Sequence, residues 1–288
     1  MLSEIFQKPK PIIGRVQLLA LPGSPDWDGN WDSLTARAEQ EATALATGGV
    51  DGLILENFHD TPFSRGRMDV AGAIAMALLT RRLKQFTNLP IGISVLRNDP
   101  ETALAIALNT GADFLRLSVL SGALITESGV INSRLNALLH YKNRLKVDLP
   151  PLMVNISPQH LAVGMPSTPN PEEQKLNYLL QVAEALPQTI QRLSLVISDQ
   201  AISPEMLPVF RAQVPFPLLV EHQNPLGTPD GWFEQADGLI LEACIRKASA
   251  MQPHLPPTID MPKVEEMVNR LRGIKSVAEM DPDLFLKH

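Results

Sequence analysis

The chain has 288 residues, 44% hydrophobic and 19% charged, which is enough apolar material for a large core without a disulfide or metal staple. Its net charge of −6 provides no overall basic field and argues against nucleic acid as the main partner. No run reaches the roughly 18 apolar residues that cross a bilayer, so membrane attachment, where it occurs, is expected to be peripheral. Cys244 has no second cysteine to pair with, and Met1–Lys10 lacks the apolar core of a secretory signal; both fit a reducing cytoplasm.

In chain order, short runs rich in Val, Ile and Leu, without clean alternation, read as strands buried on both faces. They lie near Ile12–Leu21, Gly52–Asn57, Ile91–Leu96, Phe114–Val119, Leu152–Ser157, Leu193–Ser198, Leu218–His222 and Gly238–Leu241. Stretches with helical spacing separate them: Leu34–Ala46, Asp69–Phe86, Glu101–Asn109, Ser133–Leu145, Glu172–Ala185 and Pro204–Gln213. Asp99-Pro100 and Ser203-Pro204 combine a capping side chain with a ring whose φ is already helical. Gly48-Gly49 and Gly111 offer left-handed exits.

Eight strands alternating with helices predict an α/β fold, a single (β/α)8 barrel forming one domain over residues 1–288, with a short N-terminal extension and a C-terminal helical tail. Asp51-Gly-Leu-Ile-Leu-Glu56 and Asp237-Gly-Leu-Ile-Leu-Glu242 are near copies, which suggests equivalent places in a quasi-repeating architecture. The proline-rich stretch Ser157–Pro171 is the longest apparent loop, read either as a lid or docking element or as padding.

Function in such barrels gathers at the C-terminal ends of the strands. Glu56, Arg116 and Glu242 lie in or at the ends of apolar strands, where an ion must find a partner or shift its pKa. They read either as an acid–base set or as a satisfied polar layer. Asn57, Arg97 and Asn98 join them as ligand-binding candidates, and Asp99 is either a base or a helix cap. His59, His160 and His222 fall just past strand ends, but no tight ligand spacing supports a metal, and none is expected. No cofactor is expected either, and the chain carries no P-loop, dinucleotide fingerprint, nucleophile elbow or metalloprotease motif in a supporting strand–helix context, which weakens the enzyme reading. Glu221-His222-Gln223-Asn224-Pro225 and Glu242-Ala243-Cys244 replace the glycine-rich turns that cradle phosphate after strands seven and eight. Arg65 and Arg67, beyond strand two, read either as a grip for an anion elsewhere or as solvated loop arginines.

Gly14–Pro25 (GRVQLLALPGSP), Arg37–Phe63 (RAEQEATALATGGVDGLILENFHDTPF), Gly92–Asp99 (GISVLRND) and Gly111–Gly122 (GADFLRLSVLSG) together resemble the BtpA family. That resemblance implies a barrel and a cytoplasmic factor supporting photosystem I biogenesis or stability, located peripherally on the cytoplasmic face of the thylakoid in photosynthetic members. Relatives also occur where there is no photosynthesis. The implied partners are photosystem I components or assembly factors or a small-molecule ligand; a structural homo-oligomer is a separate, third reading. The second half departs from the family pattern, with Ser157-Pro158-Gln159-His160 lacking the lysine of a Lys-His pair and Ser198-Asp199-Gln200 standing where small residues are typical. Binding without catalysis is the leading reading. The alternative is a barrel enzyme acting on a small polar metabolite, with Glu56 or Asp99 as acid or base and Arg97 or Arg116 holding an anionic group.

Overall fold

A computed structural model of the chain describes residues 1–64, 66–126, 129–156, 192–247 and 256–273, with scattered positions between 176 and 190. Eight parallel strands close on themselves: β1 (Ile12–Gln17), β2 (Gly52–Glu56), β3 (Ile91–Ser94), β4 (Phe114–Leu117), β7 (Leu152–Ile156), β8 (Leu193–Ser198), β9 (Leu218–His222) and β10 (Gly238–Leu241), the last pairing with β1. Between β4 and β7 stands an antiparallel hairpin, β5 (Ala123–Thr126) and β6 (Gly129–Asn132). The barrel expected from the alternating pattern is present. The hairpin was not foreseen, although two short apolar runs around Gly129 are its signature.

Strand ends differ from expectation for a simple reason: a strand stops where its neighbour stops. β2 ends at Glu56, whose carbonyl accepts Leu18 N–H, so β1 has no partner beyond that point and ends at Gln17 rather than Leu21. The α-helices are α1 (Leu2–Phe6), α2 (Trp31–Thr47), α3 (Val70–Phe86), α4 (Pro100–Thr110), α5 (Leu135–Leu145), α6 (Leu207–Arg211), α7 (Asp230–Gln235) and α8 (Met261–Leu271), with a short 3-10 turn at Ala243–Ile245. Asn30, Asp69 and Asp99 cap α2, α3 and α4 through backbone amides of Ser33, Ala71 and Thr102. Gly111 ends α4 at φ 75°. The helix expected over Pro204–Gln213 is shorter, because Pro208 has no N–H to bond the carbonyl of residue 204 and its ring crowds that carbonyl. The expected helix Glu172–Ala185 and loop Ser157–Pro171 fall largely or wholly outside the described residues.

Inside the barrel, Ile13, Ile54, Phe114, Met153, Val196, Leu219 and Ile240 form an apolar layer, closed from below by Leu2 and Phe6 of α1. Phe6 and Phe114 meet edge to face at 5.5 Å. Two glycines make room for these rings. A Cβ on Gly52 would lie 2.4 Å from the Phe6 ring, and one on Gly92 would lie 2.1 Å from Phe114. The repeated Asp-Gly pairs share a second role, since Asp51 accepts the Ile12 amide at 2.7 Å and Asp237 accepts the Leu218 amide at 2.9 Å. Each carboxylate thus satisfies the first N–H of the adjacent strand, as the near-identical hexapeptides suggested.

The plug gives a stability test. Phe6→Ala should destabilise the barrel by about 3–5 kcal/mol in urea unfolding; an unchanged midpoint would show that α1 does not close the core.

Candidate functional site

One layer above the apolar plug, the inward positions turn polar. Arg15 on β1, Glu56 on β2, Ser94 on β3, Arg116 on β4 and Glu221 on β9 are all buried. β4 and β9 lie three strands apart around the ring, so a contact between their side chains must cross the interior. Arg116 makes that crossing, with its two NH groups donating to Glu56 Oε1 and to both oxygens of Glu221, each at 2.9 Å, while Nε reaches Asn155 Oδ1 at 3.2 Å. Arg15 donates to Glu221 Oε1 at 2.8 Å and to Glu56 Oε2. Ser94 Oγ–H donates to Glu56 Oε1 at 2.8 Å.

Burial alone would raise the Glu56 pKa, but the charges of Arg15 and Arg116 and the Ser94 hydroxyl outweigh it, so the carboxyl stays below its ordinary range. Burial likewise disfavours the Arg15 charge, yet Glu56, Glu221 and Glu242 reverse the effect and raise its pKa. Both groups therefore remain ionised at neutral pH.

Glu242, just past β10, differs from these. Its side chain is 14% exposed, Oε1 accepts from Gln17 Nε2 at 2.8 Å, and Oε2 lies 3.8 Å from the nearest Arg15 nitrogen. Two guanidiniums face three carboxylates in this layer (2 − 3 = −1), and Glu242 is the carboxylate with the weakest pairing. The hexapeptide repeat explains the placement: β2 and β10 flank β1, so Glu56 and Glu242 approach Arg15 and Gln17 from opposite sides.

Above this floor opens a cavity of about 600 Å³. Phe58, Leu96, Leu124, Ile156 and Val196 supply apolar wall, and Arg97, Asn155, Ser198 and Gln223 supply polar groups. Of the residues singled out from sequence, Glu56, Arg97, Arg116 and Glu242 line it together, with the Arg97 guanidinium 4.4 Å from the Phe63 ring. Asn57, Asn98 and Asp99 are placed in the loops instead. Asn57 accepts Leu96 N–H at 2.7 Å, Asn98 bonds the Val119 backbone in both directions, and Asp99 caps α4 while accepting Met68 N–H at 2.9 Å.

Sequence reasoning passed over Arg15, although it carries the same signal as Arg116, a charge inside an apolar strand. It also passed over Glu41, which sits on the buried stripe Leu34, Ala38, Ala42, Leu45 of α2. Behind β1, Glu41 accepts the Gln17 amide at 3.0 Å, Arg37 Nε at 3.0 Å and Arg246 at 2.8 Å, clamping the segment after β10 to α2.

Among the described residues, no three His, Cys, Asp or Glu converge on a metal geometry. His59 lies beside Trp27 in a separate recess, where burial and then Arg246 lower its pKa to about 4, and His160 is outside the described residues. His222 Nδ1 lies 2.7 Å from Asp199 Oδ2. Asp199 also accepts the Gln223 and Asn224 amides at 3.3 and 3.4 Å. Those amides follow β9, where many barrels hold phosphate, so here a protein carboxylate already occupies the donors. Arg67 is engaged with Glu101 at 2.6 Å, and Arg65 lies outside the described residues.

The lowered Glu56 pKa fixes a sign. Its stabilising contribution is fully present above the unfolded value of about 4.3 and fades as pH falls through the lower folded value. Stability measured by urea from pH 7 down to pH 3 should therefore fall steeply in wild type and less steeply in Glu56→Gln; equal slopes would contradict the assigned pairing.

Comparison with known proteins gives concordant matches. The sequence model of the BtpA family matches residues 8–273. Photosystem I biogenesis protein BtpA of Synechocystis sp. is 49% identical over 148 residues, covering 51% of this chain and 52% of the relative. An uncharacterised protein of Methanocaldococcus jannaschii is 39% identical over 138 residues, covering 48% of this chain and 52% of the relative. The chain thus spans about half the length of these curated relatives. Tryptophan synthase subunit alpha from Legionella pneumophila superposes with a TM-score of 0.56 at 16% identity, covering 94% of this chain and 96% of that one, a likeness of fold alone. The family match runs from ahead of β1 to just past α8, and the chain belongs to the BtpA family.

Proposed function

We propose that the chain supports photosystem I biogenesis, the role that the name of its Synechocystis relative carries, by holding a small polar ligand in the barrel mouth. One observation carries the ligand reading: a cavity of about 600 Å³ remains open above a floor whose ions satisfy one another. That volume lies within the range of small-molecule sites. The floor's pairing leaves Glu242 as its main open acceptor, so the ligand presents a hydroxyl or amine to that carboxylate. Apolar wall from Phe58, Leu96 and Leu124 covers its less polar side.

The reading extends to a chain working at the cytoplasmic face of the thylakoid beside photosystem I components or their assembly factors. No described helix is long and apolar enough to cross a membrane.

A second reading, a barrel enzyme acting on a small polar metabolite, has an observation of its own. Glu56 is fully paired with a lowered pKa, and Asp99 caps a helix away from the cavity, so neither is poised for proton transfer. Glu242 faces the cavity with one oxygen 3.8 Å from its nearest cation and inherits the acid–base role in that reading.

Deleting the gene in a photosynthetic host should lower photosystem I relative to photosystem II in low-temperature fluorescence. Re-expressed wild type should restore it, whereas a folded Leu124→Trp variant, which fills the cavity, should not. An unchanged photosystem I level after deletion contradicts the biogenesis role; full rescue by Leu124→Trp contradicts the ligand.

A further inference from the structure

The floor of the cavity is one cation short. Glu56 and Glu221 each hold both guanidiniums, whereas Glu242 has only Gln17 Nε2 at 2.8 Å and an Arg15 nitrogen at 3.8 Å. Arg97 does not complete the set. It follows β3, three strands around the ring from β10, and its guanidinium stacks on Phe63, a ring that belongs to a neighbouring recess and not to the cavity lining. An excess charge in a space partly closed to water is costly until a counter-charge enters beside it. A second group fixes what else the occupant carries. Asn155 lines the cavity from β7, and its Oδ1 accepts Arg116 Nε at 3.2 Å. A guanidinium can only donate, so this bond sets the orientation of the amide and leaves Nδ2 as the end with donors to offer. Nδ2 bonds nothing among the described residues and is not sealed from solvent. β7 and β10 lie three strands apart, so the Asn155 donors and the Glu242 carboxylate stand on different sides of the opening, with Val196 of β8 in the wall between.

We propose that the occupant is an organic monocation, a primary amine whose ammonium takes the place of the missing cation at Glu242 and whose other end offers a carbonyl or hydroxyl oxygen to Asn155. This rests on the ligand reading above and narrows it to one chemical class. Other classes fail on the same groups. A phosphate meets Glu242 as a like charge. A neutral polyol leaves the floor unbalanced, and the carboxylate of an amino acid restores the imbalance that its ammonium removes. A bare metal ion of the calcium or magnesium kind takes oxygen ligands, and Asn155 shows it N–H instead. Leu124, Ile156 and Val196 supply apolar wall for the carbon chain that joins the two ends. Amino amides, amino alcohols and amino sugars have this form.

Calorimetric titration of the purified full chain with matched probes reads both ends. γ-Aminobutyramide should bind roughly tenfold or more tightly than γ-hydroxybutyramide, because a charge-assisted bond replaces a neutral one. It should also outbind butylamine, which lacks the acceptor. Glu242→Gln keeps the shape of the side chain and should erase the preference for amine over hydroxyl. Asn155→Asp keeps the oxygen that Arg116 needs and exchanges N–H for a second acceptor. That variant should bind butanediamine more tightly than wild type does, and γ-aminobutyramide less tightly. Circular dichroism should be unchanged in both variants. If the amine and its hydroxyl counterpart bind alike and Leu124→Trp abolishes both, the cation is overturned while the cavity reading stands. Binding that Leu124→Trp leaves untouched overturns the cavity reading as well. No binding of γ-aminobutyramide, or an amine preference that survives Glu242→Gln, also overturns the proposal.

Discussion

Arg15, Glu56, Arg116 and Glu221 are four buried charges in the interior of a closed barrel, where little water reaches them, and each is bonded to two of the others. That mutual satisfaction is the constraint on which the mouth depends. It joins β1, β2, β4 and β9, strands that are not all neighbours, and so sets the width of the opening above them. A buried ion network is weak evidence of net stability, because the desolvation penalty offsets most of the attraction. Losing one member is another matter, since it leaves a buried charge unpaired at a cost of about 3–5 kcal/mol. The cluster therefore specifies a shape more than it deepens the fold's stability.

Below it the barrel is filled in the ordinary way. Glycines at the inward positions of β2 and β3 admit Phe6 and Phe114, and α1 seals the end, so the interior opens towards the C-terminal face alone. On the outside, Glu41 performs for the segment after β10 what Glu56 performs inside. A carboxylate with no exposure gathers Arg37, Arg246 and the Gln17 amide, and holds Glu242 in place through the chain that follows it.

Much of this was legible in the sequence, and the remainder was not for physical reasons. Barrel strands are buried on both faces, so their apolar runs, helix caps and glycine exits announced the strand count without alignment. Glu56, Arg116 and Glu242 announced themselves as charges in apolar runs, and the Asp-Gly-Leu-Ile-Leu-Glu repeat correctly implied equivalent places. What a linear pattern cannot show is pairing across the ring: nothing local tells Arg116 that Glu221 lies three strands away. The loop residues Asn57, Asn98 and Asp99 looked like ligand groups because polar residues at strand ends are ambiguous. Only geometry shows that their hydrogen bonds are taken up by Leu96, Val119, Met68 and the first turn of α4. The Asp199 carboxylate on the amides after β9 was equally invisible, although the missing glycines had already argued against a phosphate there.

The central claim is that the buried charges act as one unit, and a double-mutant cycle between Arg116→Met and Glu221→Gln tests it most directly. If the network is coupled as described, the double variant should recover stability relative to the sum of the single losses, with an interaction energy of about 1–3 kcal/mol in urea unfolding. Losses that simply add would contradict a mutually satisfied floor and require the charges to find solvent or other partners.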